Sequence, residues 1–286
     1  MQTGLISRST RRSLSTASER FGCPLRISPV PGLVELANLH DEPLPVVESP
    51  EWYALRERAI RYRSLVPSML YVGSTTRPDI SYVLSVLCRC LDNPSERHLE
   101  AADLLLAYLV GTITLGVIYW RGSAKGIRVI YSALKHGTYA ASDSNWATGK
   151  STSGFGIWGR TGLVTWASKL QAVTALSSTE AEFYAASVCG VDVLAERHFH
   201  QDLNEKETLM PTPLFVDNSA CVELGKHFAS CKRAKHIDRR VYFLTDYQAQ
   251  GHIEIMPIAT KDNTADIWTK PLAKLLFLKH RDAVVG

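Results

Sequence analysis

Apolar residues return with a helical period in the first part of this chain, and a later change to short strand-like segments divides it. At Ile80, Val83, Leu84, Leu87 and Leu91 they fall three and four apart, the spacing of a helix with one buried face, starting near Pro78. Asn93-Pro94-Ser95-Glu96 then predicts an N-cap, a proline at the first helical position and an acid in the first turn. That second helix is expected to run to Val110 and to stop at Gly111, a C-cap glycine. An earlier helix is predicted over about residues 50–63, after a proline-rich stretch that reads as linker or extended arm (Pro24, Pro29, Pro31, Pro43, Pro45, Pro50). Strands are expected over 115–120 and 127–132.

Beyond residue 134 the composition changes. Residues 139–146, 154–158 and 163–168 are rich in aromatic and β-branched side chains and are joined by Gly, Ser and Thr, which predicts an antiparallel meander. A long helix over about 178–203 is expected to bury Ala181, Tyr184, Ala185, Val188, Val191 and Ala195. Next come a strand at 214–216 ending on Asp217, a short helix at 219–224, a basic loop at 226–235, a helix at 236–250 and a strand at 252–258. Asn263 is placed to cap a last helix carrying Asp266, which Pro271 ends or kinks, with a further turn or two at 272–280. The order β-β-β-α-β-α-α-β-α predicts an α/β fold: a mixed five-stranded sheet flanked by helices, preceded by a small, mostly helical region. The expected divisions are a linker or partial segment at 1–50, a helical region at 51–133 and the sheet domain at 134–286.

At 286 residues, 45% hydrophobic and 21% charged, the chain can bury a sizeable core and is not of disordered composition. No run of about 18 apolar residues occurs, so no membrane span is expected. The net charge of +4 permits nucleic-acid contact without indicating it. Six cysteines without a CxxC pair read as reduced thiols in a cytosolic or nuclear setting. The Ser- and Arg-rich start resembles a mitochondrial transit peptide but lacks an amphipathic stripe, so such targeting is not expected.

The candidate chemistry lies in four carboxylates at element ends. Asp143 and Asp217 fall at strand ends, and Glu180 and Asp266 in helix first turns. In such sheets the ligand site lies beyond the carboxyl ends of the strands. Clustered acids repel unless cations neutralise them, and hard oxygen ligands suit Mg²⁺. Two such ions about 3.5–4 Å apart can serve an in-line displacement at phosphorus, so the pattern reads as a metal-dependent nuclease. Capping is the competing role at the head of the long helix. Ser177 with Glu180 and Thr179 with Glu182 both have capping-box spacing. The second pairing leaves Glu180 for metal and is the preferred expectation. Arg56, Arg58, Arg61 and Arg63 could face phosphate, although a solvated helix face is the commoner explanation.

A set of motifs carries a resemblance. Ser142-Asp143-Ser144-Asn145-Trp146, Lys150-Ser151-Thr152-Ser153-Gly154, Ala175-Leu176-Ser177-Ser178-Thr179-Glu180-Ala181-Glu182, Val216-Asp217-Asn218, Lys235-His236-Ile237-Asp238 and Ala265-Asp266-Ile267-Trp268-Thr269-Lys270-Pro271-Leu272 resemble, in order and spacing, the ribonuclease H region of copia-type retrotransposon polyproteins. Upstream, Tyr62-Arg63-Ser64-Leu65-Val66, Thr76-Arg77-Pro78-Asp79-Ile80, Asn93-Pro94 and Tyr108-Leu109-Val110-Gly111-Thr112 look like the thumb-like helices that follow a reverse transcriptase palm. The chain thus looks like the C-terminal part of such a polyprotein. It has no Tyr-Val-Asp-Asp motif, so polymerase activity is not expected from it alone.

The resemblance implies a ribonuclease H-like fold and hydrolysis of the RNA strand of an RNA–DNA hybrid during reverse transcription. The cofactor would be two Mg²⁺ ions, with Mn²⁺ able to substitute. Asp143, Glu180, Asp217 and Asp266 would be catalytic and metal-ligating. Ser178, Thr179 and Asn218 would contact the hybrid through ribose hydroxyls, and Lys169, Lys232, Arg233 and Lys235 through phosphates. Implied partners are the hybrid and the reverse transcriptase palm and fingers of the parent polyprotein, in a cytoplasmic retroelement particle or the nucleus. The rivals are a catalytically silent fragment or domesticated nucleic-acid-binding module, and an integrase-like relative of the same fold. Three departures stand out: Asn145 where the family often has Asp, Cys231 in place of a frequent His, and no His in 257–263, where cellular ribonucleases H carry one.

Overall fold

Ser49 sets the start of the first long helix. Its hydroxyl accepts from the Trp52 amide (3.1 Å), and Pro50 fills the first helical position, where no N–H is needed. This helix, α1 (Pro50–Thr75), is longer than the predicted 50–63 and runs through Pro67. Burial of Leu65, Val66, Met69 and Val72 beyond the expected end explains the extension. The structure, a computed structural model, describes residues 30, 39, 42–119, 137–146, 149–203, 210–227 and 239–286. The chain divides into two compact units: Met1–Ile118 with Lys270–Gly286, and Tyr119–Thr269.

In the helical unit, α1 packs with α2 (Ser81–Leu87), flanked by 3₁₀ turns, and α3 (Glu96–Gly111). The cap of α3 is Ser95, not Asn93. The Ser95 amide donates to His98 Nδ1 (3.3 Å), while Asn93 Nδ2 donates to the Pro45 carbonyl (2.7 Å). Val117 N donates to the Thr76 carbonyl (3.0 Å), and no strand forms over the described residues of 115–120. The strand expected at 127–132 lies outside the described residues. Motif residues supply the buried polar core here. Arg77 and Asp79, both fully buried, form a two-pronged ion pair (2.9 and 2.7 Å), Arg77 also reaches Thr112, and the Tyr108 hydroxyl donates to Asp79 (2.6 Å). Burial pushes the Tyr62 and Tyr108 hydroxyls up from their ordinary pKa, and the Asp79 charge adds to it at Tyr108.

The last helix, α7 by chain order (Lys274–Val284), belongs to this unit and not to the sheet domain as expected. Phe277 meets the Tyr108 ring edge-on with centroids 6.0 Å apart, and the Gly286 amide donates to Gly116 (3.1 Å).

The sheet unit holds β1 (Tyr139–Asn145), β2 (Thr152–Gly159), β3 (Gly162–Leu170), α4 (Ser178–Asp202), β4 (Thr212–Val216), α5 (Ser219–His227), α6 (Arg239–Ala249) and β5 (Ile253–Pro257). The strand order is β3-β2-β1-β4-β5. β1–β3 form the expected antiparallel meander, and β4 and β5 add in parallel. Alternation divides the two faces. Ala140, Phe155, Ile157, Leu214, Val216, Ile253 and Ile255 meet Phe183, Ala186, Cys189 and Val193 of α4, with Cys221, Val222 and Leu244. The stripe α4 buries is therefore rotated from the predicted one: Val191 is 53% exposed, and Ala195 is exposed.

The opposite face carries aromatics and the residues that bear Asp266. These form a 3₁₀ helix, Thr264–Trp268, with Asn263 capping it as expected through the Ala265 amide (3.2 Å). Trp268 is fully buried beside Trp158 (5.8 Å), which stacks on Tyr139 (5.1 Å). Only glycine permits this approach. A Cβ at Gly156 would lie 2.4 Å from the Trp268 ring, and one at Gly154 2.6 Å from Thr269 Cγ2.

Candidate metal centre

The central strand β1 delivers Asp143 near its carboxyl end, paired in register with Gly154. β4, parallel to it, ends at Val216 and presents Asp217 at the following bend. Asn263 ties the third segment to β1, because its Nδ2 donates to the Ser142 carbonyl (3.0 Å), and so brings Asp266 across. Ligand oxygens of Asp143, Asp217 and Asp266 all lie within 4.8 Å of one another. Asp143 and Asp266 are each 2% exposed, and Asp217 is half-buried. Three carboxylates this close, two of them buried, make a donor set suited to a hard divalent cation.

Thr269 orients this set. Its hydroxyl, fully buried, donates to Asp143 Oδ2, and the same oxygen lies 3.2 Å from the Asp266 carbonyl. One side chain thereby fixes two of the three ligand-bearing segments. Thr269→Val, which keeps the shape and removes the donor, is expected to weaken Mn²⁺ binding in calorimetric titration by about 10–100-fold. Thr269→Ser should restore it.

Glu180 is not among the converging acids. The Ser177 hydroxyl accepts from the Glu180 amide (3.1 Å), and the Glu180 carboxylate accepts from the Leu176 amide (2.7 Å). The helix therefore starts at Ser177, and the capping role belongs to Glu180 instead of Glu182. Glu182 is buried, 6% exposed, and its Oε1 accepts from the Ser144 amide (3.2 Å), one residue beyond Asp143. Burial, with the charges of Glu182 and Asp217, raises the Cys221 thiol, so these two carboxylates share a neighbourhood. Sequence reasoning gave Glu182 a capping role, whereas the structure buries it beside Ser144. The signal for that burial was the spacing to Ala185, Ala186 and Cys189, all fully buried on the face of α4 that meets the sheet.

Four of the residues expected to contact nucleic acid lie among the described residues: Ser178, Thr179, Asn218 and Lys169. Ser178 and Thr179 lie in the first turn of α4, exposed and half-buried. Asn218 caps α5, its Oδ1 accepting from the Cys221 amide (3.0 Å). Lys169 is exposed at the end of β3, with Nζ 5.9 Å from the Phe155 ring centroid. Lys232, Arg233 and Lys235 lie outside the described residues.

A meander continued by two parallel strands, with a long helix on one face and acids at the carboxyl end of its central strand, is the ribonuclease H-like fold. No family model matches the chain. It is 32% identical over 220 residues to the retrovirus-related Pol polyprotein from transposon TNT 1-94 of Nicotiana tabacum, and 30% identical over 220 residues to that from transposon RE1 of Arabidopsis thaliana. Each match covers 76% of this chain, which spans only 16% and 14% of those polyproteins. Among solved structures, RNase H1 from Halobacterium salinarum NRC-1 is similar at 16% identity and a TM-score of 0.33, over 46% of this chain and 93% of that one. The chain belongs to the copia-type retrotransposon Pol polyprotein family, with a ribonuclease H-like domain as its sheet unit.

Proposed function

We propose that the sheet unit is the ribonuclease H of a retroelement and hydrolyses the RNA strand of RNA–DNA hybrids. The observation that carries this reading is the convergence of Asp143, Asp217 and Asp266, from three separate segments, to within 4.8 Å. Glu182 completes the set in place of Glu180, and the four would hold two Mg²⁺ ions, or Mn²⁺. Bound there, divalent ions would supply Lewis-acid polarisation of a phosphodiester and activation of water. The chain's own part is to hold the carboxylates in place. The Thr269 hydroxyl fixes Asp143, the Ser144 amide fixes Glu182, and the Asn263 cap fixes the turn that carries Asp266.

Ser178 and Thr179 are the residues we assign to ribose 2′-hydroxyls, which distinguish RNA from DNA. Lys169, Lys232, Arg233 and Lys235 are assigned to phosphates, and Asn218 is left to its capping role. The palm and fingers of a parent polyprotein would supply the polymerase, in a cytoplasmic particle or the nucleus. No helix among the described residues is long and apolar enough to cross a membrane.

The test is incubation of the purified chain with a hybrid labelled on its RNA strand. Shortened RNA with 3′-hydroxyl ends is expected in Mg²⁺. Chelation by EDTA should stop the reaction, and added Mg²⁺ should restart it. Folded protein that leaves the hybrid intact in Mg²⁺ and in Mn²⁺ overturns the proposal.

A further inference from the structure

Four arginines project from α1, and the fold sorts them into two pairs. Arg58 is bonded to Glu96 and Arg61 to Asp103 (2.6 Å), both bridging α1 to α3. Arg56 and Arg63 have no carboxylate partner among the described residues. With Trp52 and Ala59 they make a stripe at positions i, i+4, i+7 and i+11, one face of the helix. All four line one open pocket of about 180 Å³. Its floor holds the buried side chains of Pro45, Leu55 and Pro94. The Arg56 guanidinium sits 5.6 Å from the centre of the Trp52 ring, and Asp92 lies at the rim.

We propose that this pocket binds one nucleotide of a single-stranded nucleic acid. The apolar floor and the half-buried indole offer a slot for a planar base. The two exposed guanidiniums, forks suited to phosphate oxygens, stand at the rim where the flanking backbone would pass. The volume falls short of the roughly 300–1,000 Å³ of a pocket for a larger organic ligand, and it suits a single ring. Two cations against one carboxylate leave the rim positive, so an anion is selected. The ring slot favours a nucleotide over an acidic peptide. This site lies wholly in the helical unit and does not depend on hybrid cleavage.

The experiment is fluorescence anisotropy of a labelled oligodeoxythymidylate with the full chain in EDTA. Arg56→Gln with Arg63→Gln should weaken binding about tenfold or more and lower the slope of log affinity against log salt by about 1.4, the value for two released phosphate contacts on a single strand. Trp52→Leu should cost about tenfold, while Trp52→Phe, which keeps a stacking surface, should cost less. Arg58→Gln, which loses only its bond to Glu96, should bind as the parent does. Unchanged affinity and slope in a folded double arginine variant overturn the proposal. So does displacement of the oligonucleotide by polyglutamate as readily as by unlabelled DNA.

Discussion

Glu182→Gln is expected to lower hybrid cleavage by about 10³-fold or more, while Glu180→Gln leaves it within a few-fold of the parent. The two positions lie on one helix, two residues apart, and their surroundings separate them. Glutamine at 182 can still accept from the Ser144 amide, so the local hydrogen bond survives and only the charge is removed. Removing one charged oxygen donor from a divalent-ion site forfeits several kcal/mol of transition-state stabilisation, and each 1.36 kcal/mol is about tenfold in rate. At 180 glutamine can likewise accept from the Leu176 amide, so the cap persists and the stability cost stays below about 1 kcal/mol. The measurement is initial rate on labelled hybrid, with circular dichroism to establish folding. Equal losses at the two positions, or a loss confined to 180, would remove Glu182 from the site.

Trp268→Ala is expected to destabilise the sheet unit by about 3–5 kcal/mol, the usual cost of truncating a fully buried aromatic. At about 2–4 °C per kcal/mol for a unit of this size, the thermal midpoint should fall by roughly 6–20 °C. The ring fills the hollow left by Gly154 and Gly156 and touches Trp158, so truncation opens a cavity between the sheet and the turn bearing Asp266. Gly156→Ala attacks the same contact from the other side, since its Cβ would fall 2.4 Å from the indole. That overpacking should cost about 1–3 kcal/mol alone. In a Trp268→Ala background the Gly156→Ala cost should fall to what the remaining 2.9 Å approach to Trp158 imposes, a coupling that a double-mutant cycle reads directly. Additive losses would mean that the two positions do not share a packing contact.

The sheet was legible because its strands are short, rich in aromatic and β-branched residues and separated by turn residues. The convergence of Asp143, Asp217 and Asp266 was legible because each falls in or just after a recognisable element. The fourth acid turned on the phase of one helix. The preferred capping pairing, Thr179 with Glu182, left Glu180 free for metal. The core instead takes Ala185, Ala186, Cys189 and Val193, and this phase turns Glu182 inward. Two overlapping capping boxes cannot be told apart by spacing. Burial decides between them, and burial depends on the sheet.

Other differences have similar causes. The predicted helix ends near residue 63, yet α1 continues through Pro67 because apolar contacts beyond it outweigh one missing hydrogen bond. Arg77 and Asp79 give no sign in sequence that they are buried; only the convergence of Tyr108 and Thr112 makes a dry ion pair tolerable. The return of α7 to the helical unit is invisible locally, since Phe277 finds its partner on a distant helix.

That return has a bearing on how the protein is made. A ribosome must finish the entire sheet before releasing the segment that covers Tyr108. Until then the nascent helical bundle stands uncapped, with an aromatic flank open to wrong neighbours. A stop codon just after Thr269 would spare every ligand carboxylate and still leave that bundle incomplete.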